Sequence, residues 1–192
     1  AGYAELSGSW KGKKALVIGD SITAAGKWQK KLEELLGMNV ATHAKGGIGI
    51  LRMTDGDNGL DGTYNAETDK NGVLRPLMAA DVEGVSLIVV LPAYNERATV
   101  LGSVGDCHPE QETICGRIQY LLNRIYEELE DAGNLLCHVL VATPHCAGKY
   151  PYVDADGYEE YPTGTGQTME KLSDTIKAVA QANNVAVCDL WH

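Results

Sequence analysis

The segment Leu16-Val17-Ile18-Gly19-Asp20-Ser21-Ile22-Thr23 limits what this chain can fold into more than any other stretch. From Lys13 to Ile18 the residues show no helical period, are mostly apolar and are bounded by glycines, the pattern of a buried strand. Gly19 permits a sharp turn, and Trp28, Leu32, Leu35 and Leu36 then share one face of a helix over Trp28 to Leu36. Ser21 is therefore expected on a strand-to-helix turn, with its Oγ exposed above the carboxyl edge of a sheet. The nearby helix N-terminus would favour developing negative charge, so Ser21 is a candidate nucleophile. An Asp-Ser pair is also an ordinary helix cap, and the segment carries chemistry only if the rest of the chain supplies partners.

Composition restricts those partners. A chain of 192 residues, 44% hydrophobic and 22% charged, is expected to form one domain over residues 1–192 with ample core. A formal charge of -10 offers no basic stripe to neutralise phosphates, so nucleic acid is not an expected partner. No apolar run has transmembrane length and no Lys/Arg-rich segment suits an anionic bilayer, so no membrane partner is expected either. The five cysteines follow no metal-ligand spacing, and a bridge from Cys107 to Cys115 or Cys146 is left open. The first residue is Ala1 rather than methionine, which slightly favours a secreted or periplasmic protein whose signal peptide has been removed.

Taken in order, strand and helix signals alternate. Gly37 closes the first helix, and Asn39 to His43 reads as a second strand. Ala44-Lys45-Gly46-Gly47-Ile48-Gly49 follows, then a polar stretch from Arg52 to about Asp81. Within it, Asp55-Gly56-Asp57-Asn58-Gly59-Leu60-Asp61 hints at a calcium loop, but glycine at the fifth position and leucine at the sixth break that pattern, and no metal is expected. Ser86 to Leu91 is apolar enough to be a strand covered on both faces. Ile114, Ile118, Leu121, Leu122, Ile125 and Leu129 mark a long helix, Leu135 to Thr143 a fourth strand, Met169, Leu172, Ile176 and Val179 a further helix, and Val185 to Leu190 a fifth strand. The expected fold is an α/β three-layer sandwich around a five-stranded parallel sheet. Connections from helix to strand are short, and those leaving the second, third and fourth strands are long. Ligands of open α/β sheets bind at the carboxyl edge, where Ser21, Gly46, Asn95 and His145 should all lie.

Gly19-Asp20-Ser21-Ile22, a glycine after the second strand and an asparagine after the third resemble the first three blocks of the SGNH (GDSL-like) hydrolase superfamily, in element order over essentially the whole chain. The resemblance implies a flavodoxin-like topology and Ser21 as nucleophile. It also implies an oxyanion hole made of the backbone N–H groups of Ser21 and Gly46 and the side-chain amide of Asn95, with Gly47 an alternative donor. Three neutral donors aimed at one oxygen stabilise a tetrahedral intermediate. The chain departs from the pattern at Ala44, where an asparagine is usual, and at Ala93-Tyr94-Asn95-Glu96, where Gly-x-Asn-Asp is usual. Asp20, Tyr94 and His145 are candidate substrate contacts. The last block of the family, Asp-x-x-His, is matched by Asp189-Leu190-Trp191-His192, which implies His192 as general base and Asp189 as its orienting carboxylate. Two readings stay open: these residues are the family pair in a shortened chain, or the pair lies beyond His192 and one face of the last strand lacks a helix. His145 is the substitute base, while His43, His108 and His138 are expected to be structural or solvated.

The expectation is a cofactor-free serine esterase acting on a small-molecule or carbohydrate ester. Tyr150, Tyr152, Tyr158 and Tyr161 and the polar loop suit a sugar ring better than a long acyl chain. The alternatives are a catalytically inactive or truncated carbohydrate-binding domain of the same fold, and a flavin or nucleotide binder. Against the latter, the first turn has no phosphate loop and places Asp20 where a phosphate would sit. A homodimer that buries an uncovered last strand is also left open.

Overall fold

The computed structural model describes residues 9–57, 74–92, 95–96, 99–106, 113–144 and 169–191. Five strands, β1 (Lys14–Gly19), β2 (Asn39–Ala44), β3 (Val85–Leu91), β4 (His138–Ala142) and β5 (Ala186–Cys188), form one sheet in the order β2-β1-β3-β4-β5. Every neighbouring pair is parallel, as the alternation of strands and helices requires.

Among the described residues, six α-helical segments lie between them: α1 (Ser21–Ala24), α2 (Lys27–Leu36), α3 (Arg52–Asp55), α4 (Ala79–Val82), α5 (Ile114–Asp131) and α6 (Met169–Ala182). The helix expected over Trp28 to Leu36 is present, and a separate single turn, α1, precedes it. Ala25 caps α1 after one turn, and Gly26 takes the left-handed conformation at φ 70°, so α2 starts afresh. Two short helices, α3 and α4, also stand where the sequence read as a polar loop. Met53, Thr54, Asp55 and Val82 in them are buried.

The sheet's two faces are filled unequally. Leu16 and Ile18, Ile88 and Val90, and Val139 and Val141 point to one side, where Ile118, Leu121, Leu122 and Ile125 of α5 and Leu172, Ile176 and Val179 of α6 seal the main core. On the other side α2 packs against β2 and α1. An apolar groove of about 460 Å³ remains between Trp28, Leu32 and Leu36 of α2 and Leu87, Val89, Leu140 and Cys188 of the strands. The expectation that β3 is covered on both faces therefore needs correction at Leu87, which is only half-buried. Leu35, expected on the inner stripe of α2, is 58% exposed.

Strand β4 starts later than its apolar run suggested. Leu135 and Leu136 are exposed in the turn that follows α5, and pairing with β3 begins only at His138. That turn is anchored by Asn134, whose amide donates to the carbonyls of Val82 (2.7 Å) and Val85 (2.8 Å). Cys115 is buried, and Cys137 and Cys188 are half-buried. Cys107, His108 and Cys146 lie outside the described residues, as do the tyrosines at 150, 152, 158 and 161.

Candidate active site

Gly19 ends β1 against Thr23 and the Leu91 carbonyl so closely that a Cβ on it would lie 2.2 Å from Thr23 Oγ1. Only glycine fits there, and the turn it permits sets Asp20 and Ser21 at the carboxyl edge of the sheet. The Asp20 side chain is 1% exposed, and its Oδ1 accepts from the Ile22 N–H at 3.0 Å, capping α1. Ser21 is exposed, and its Oγ makes no hydrogen bond to any described residue. Because α1 is a single turn, the field at Ser21 comes from its own few N–H groups.

Gly46 lies beside this serine. A Cβ on Gly46 would stand 3.7 Å from Ser21 Cβ, which puts the loop after β2 beside the candidate nucleophile. The loop is fastened next to Gly46, where Lys45 pairs with Asp57 and its N–H donates to the Gly19 carbonyl at 3.3 Å. Burial works to raise the Asp57 carboxyl, but the hydrogen bonds from Lys45 and from the Leu74 N–H outweigh it and hold the group below the ordinary carboxylate range. Asp55, the other described acid of the calcium-like stretch, accepts from the Tyr120 hydroxyl at 3.0 Å. Among the described residues no cluster of His, Cys, Asp and Glu could hold a metal ion.

Asn95, after β3, reaches the same place. Its amide donates to the Ile48 carbonyl at 2.9 Å and to Asp20 Oδ2 at 3.3 Å. The second contact is long, so it is the one that an incoming acceptor would displace. Next in sequence, Glu96 is buried, accepts from the Ile50 N–H at 2.7 Å and pairs with Arg117 of α5. Sequence reading noted Glu96 only as a changed neighbour of Asn95. The available signal was an acid directly after Asn95 with an arginine one turn into α5.

Ser21, Asp20, Gly46 and Asn95 are thus brought together, and Asp189 is not brought to them. Asp189 follows β5, three strands from β1, which at ordinary strand spacing is about 14 Å away. Its carboxylate accepts from Thr143 Oγ1 (3.2 Å), the Trp191 N–H (3.1 Å) and Lys177 Nζ (3.1 Å). Thr143 also accepts from the N–H groups of Leu190 (2.8 Å) and Trp191 (3.2 Å), which turns the chain after β5 back over the end of β4, one strand nearer Ser21. His192, His145 and Tyr94 lie outside the described residues.

By sequence the chain matches no family model and no curated protein. By structure it is similar to a possible lipase from Chitinophaga pinensis, with TM-score 0.64 and 16% identity over 93% of this chain and 68% of that one. It is also similar to a carbohydrate acetylesterase family member from Sinorhizobium meliloti, with TM-score 0.53 and 16% identity over 92% of this chain and 82% of that one. An acetyl xylan esterase superposes with TM-score 0.50 and 18% identity over 92% of this chain and 77% of that one. With its parallel five-stranded sheet, the chain shares the α/β fold of these lipase and esterase structures.

Proposed function

We propose that this chain is a serine ester hydrolase that removes a short acyl group, an O-acetyl group of a carbohydrate, through an acyl-enzyme intermediate. The observation that carries the reading is the convergence at one sheet edge of exposed Ser21, Gly46 beside it, and the Asn95 amide tied to the same Asp20 that caps the Ser21 turn. Ser21 Oγ attacks the ester carbonyl and passes its proton to an imidazole. The oxyanion takes the Ser21 and Gly46 N–H groups and displaces Asp20 from the Asn95 amide. The imidazole then protonates the departing alcohol, and water attacks the acyl group by the reverse steps. His192 is the base in this proposal. Asp189 is the carboxylate that orients it, as the Asp-x-x-His spacing implies. No cofactor enters the chemistry. The neighbours described as carbohydrate acetylesterase and acetyl xylan esterase support the choice of leaving sugar.

A longer acyl chain is the second reading, favoured by the apolar groove, which has Ile22, the residue after Ser21, in its wall. Hydrolysis of p-nitrophenyl acetate and octanoate, and of an acetylated xylo-oligosaccharide, separates the two. Ser21→Ala should lower acetate turnover by roughly 1000-fold or more, and His192→Ala by a similar factor. Retained activity in His192→Ala assigns the base elsewhere, with His145→Ala the next variant. Folded but inactive protein overturns the esterase reading for this chain in favour of an inactive or truncated domain of the same fold, and octanoate turnover equal to acetate turnover removes the short-acyl specificity.

A further inference from the structure

We infer that Glu96 is a positioning residue that holds the oxyanion hole in register by joining the loop of Gly46, the loop of Asn95 and helix α5; the inference rests on the esterase reading above. Ser21, Gly46 and Asn95 arrive from the ends of three different strands, so their relative placement depends on what ties their loops together. Two adjacent residues make that tie. Asn95 grips the Ile48 carbonyl at 2.9 Å, and Glu96 Oε1 accepts from the Ile50 N–H at 2.7 Å. Between these two grips lies Gly49, where a Cβ would sit 2.3 Å from Glu96 Oε1. The carboxylate thus occupies the space a side chain would need, and the loop closes directly onto it.

The other carboxylate oxygen faces away from the loop. Glu96 Oε2 accepts from Thr99 Oγ1 at 2.9 Å and pairs with Arg117 Nη1, which also donates to Thr99 Oγ1 at 3.1 Å. Glu96 is 6% exposed. A carboxylate buried this far is retained only where its partners replace the lost water, and here they come from three separate segments. Arg117 sits in the first turn of an 18-residue helix whose apolar face is buried in the core, so the strut ties the loops to that core. Backbone N–H groups that stabilise an oxyanion act only when correctly aimed, and a misplacement of about 1 Å costs on the order of 100-fold in rate. Glu96 touches no reacting atom and acts through Gly46 and Asn95.

The test is steady-state kinetics on p-nitrophenyl acetate with the full chain, its Ser21→Ala variant, Glu96→Gln and Gly49→Ala, together with amide exchange at residues 46–50. Glu96→Gln keeps the size of the side chain and removes the charge that pairs with Arg117. Gly49→Ala pushes on the same strut from the loop side and leaves the Glu96–Arg117 pair in place. Both variants should lower kcat by about 10- to 100-fold with KM within about 3-fold, because a misaimed donor is lost in the transition state and not in the substrate complex. Both should also raise exchange at 46–50 by about 10-fold or more while leaving exchange in the β1 strand slow. Ser21-dependent turnover in the wild type with unchanged kcat in folded Glu96→Gln and Gly49→Ala overturns the role of Glu96 and leaves the esterase reading standing. A wild type without Ser21-dependent turnover overturns the esterase reading and this inference with it. If Glu96→Gln fails to fold, Gly49→Ala decides alone: unchanged kcat refutes the strut.

Discussion

His43 shows what burial does to a single titratable residue. It lies on β2 opposite Ile18, is 6% exposed, and its Nε2 is buried without a hydrogen-bond partner among the described residues. Burial depresses its pKa to about 4 and Arg75 adds to the depression, while Asp81 and the Met53 backbone oppose it. The folded protein thus keeps His43 neutral at pH values where the unfolded chain protonates it. The unfolded state binds the extra proton between about pH 6.5 and 4, so this contribution is full above 6.5 and is lost as pH falls towards 4, by about 3 kcal/mol at most. Urea midpoints at pH 7.5 and 4.5 should therefore drop further in the wild type than in His43→Leu. Equal drops would assign the acid sensitivity to the carboxylates, Asp57 and Asp81 among them, whose pKa values are held low. Single residues were also where the sequence was most and least informative. The meeting of Ser21, Gly46 and Asn95 was legible because residues just past the ends of parallel strands share one sheet edge. Glu96 was not read, because its partners, Ile50 and Arg117, are 46 and 21 residues away, and an acid after Asn95 with an arginine in α5 is too weak a pattern to join them.

Among the elements, α5 and α2 show how far periodicity reaches. The six apolar positions read along α5 are all 3% exposed or less, since that helix lies against the middle of the sheet with its whole apolar stripe enclosed. The stripe of α2 had the same periodicity, yet Leu35 is 58% exposed and Trp28, Leu32 and Leu36 are half-buried. Spacing identifies a face, and only the neighbours determine how much of it is covered. Ile125→Ala should consequently cost about 2–5 kcal/mol in denaturant-derived stability, and Leu35→Ala within about 0.5 kcal/mol of nothing. Comparable losses for the two would mean that α2 packs more tightly than its exposure implies. Strand boundaries were less legible than strand centres. Leu135 and Leu136 look like strand to a composition-based reading, but Asn134 pins the turn to Val82 and Val85 and pairing cannot start before His138.

For the molecule as a whole, the sheet order and the unequal covering of its faces matter most. The order β2-β1-β3-β4-β5 places the candidate nucleophile beside the centre of the sheet and Asp189 at its rim. The sequence predicted parallel strands from their alternation with helices, but an apolar side chain reads the same whether a helix lies over it or not, so the open groove beside Leu87 and Leu140 was not legible. The position of β5 has a consequence for how the molecule comes apart. Three residues long, it pairs with one neighbour, whereas β1 has a partner on each side and is buried along Ala15–Ile18. Unfolding should then be graded across the sheet. In native-state hydrogen exchange, the amides of Ala186–Cys188 should open at a free energy well below the global value, and those of Leu16–Ile18 only with complete unfolding. Uniform protection from β1 to β5 would mean that the rim is as stable as the centre. A graded pattern means that the edge carrying Asp189 frays while the edge carrying Ser21 is still intact, so that mild heat would uncouple the two halves of the proposed catalytic apparatus before it denatured the protein.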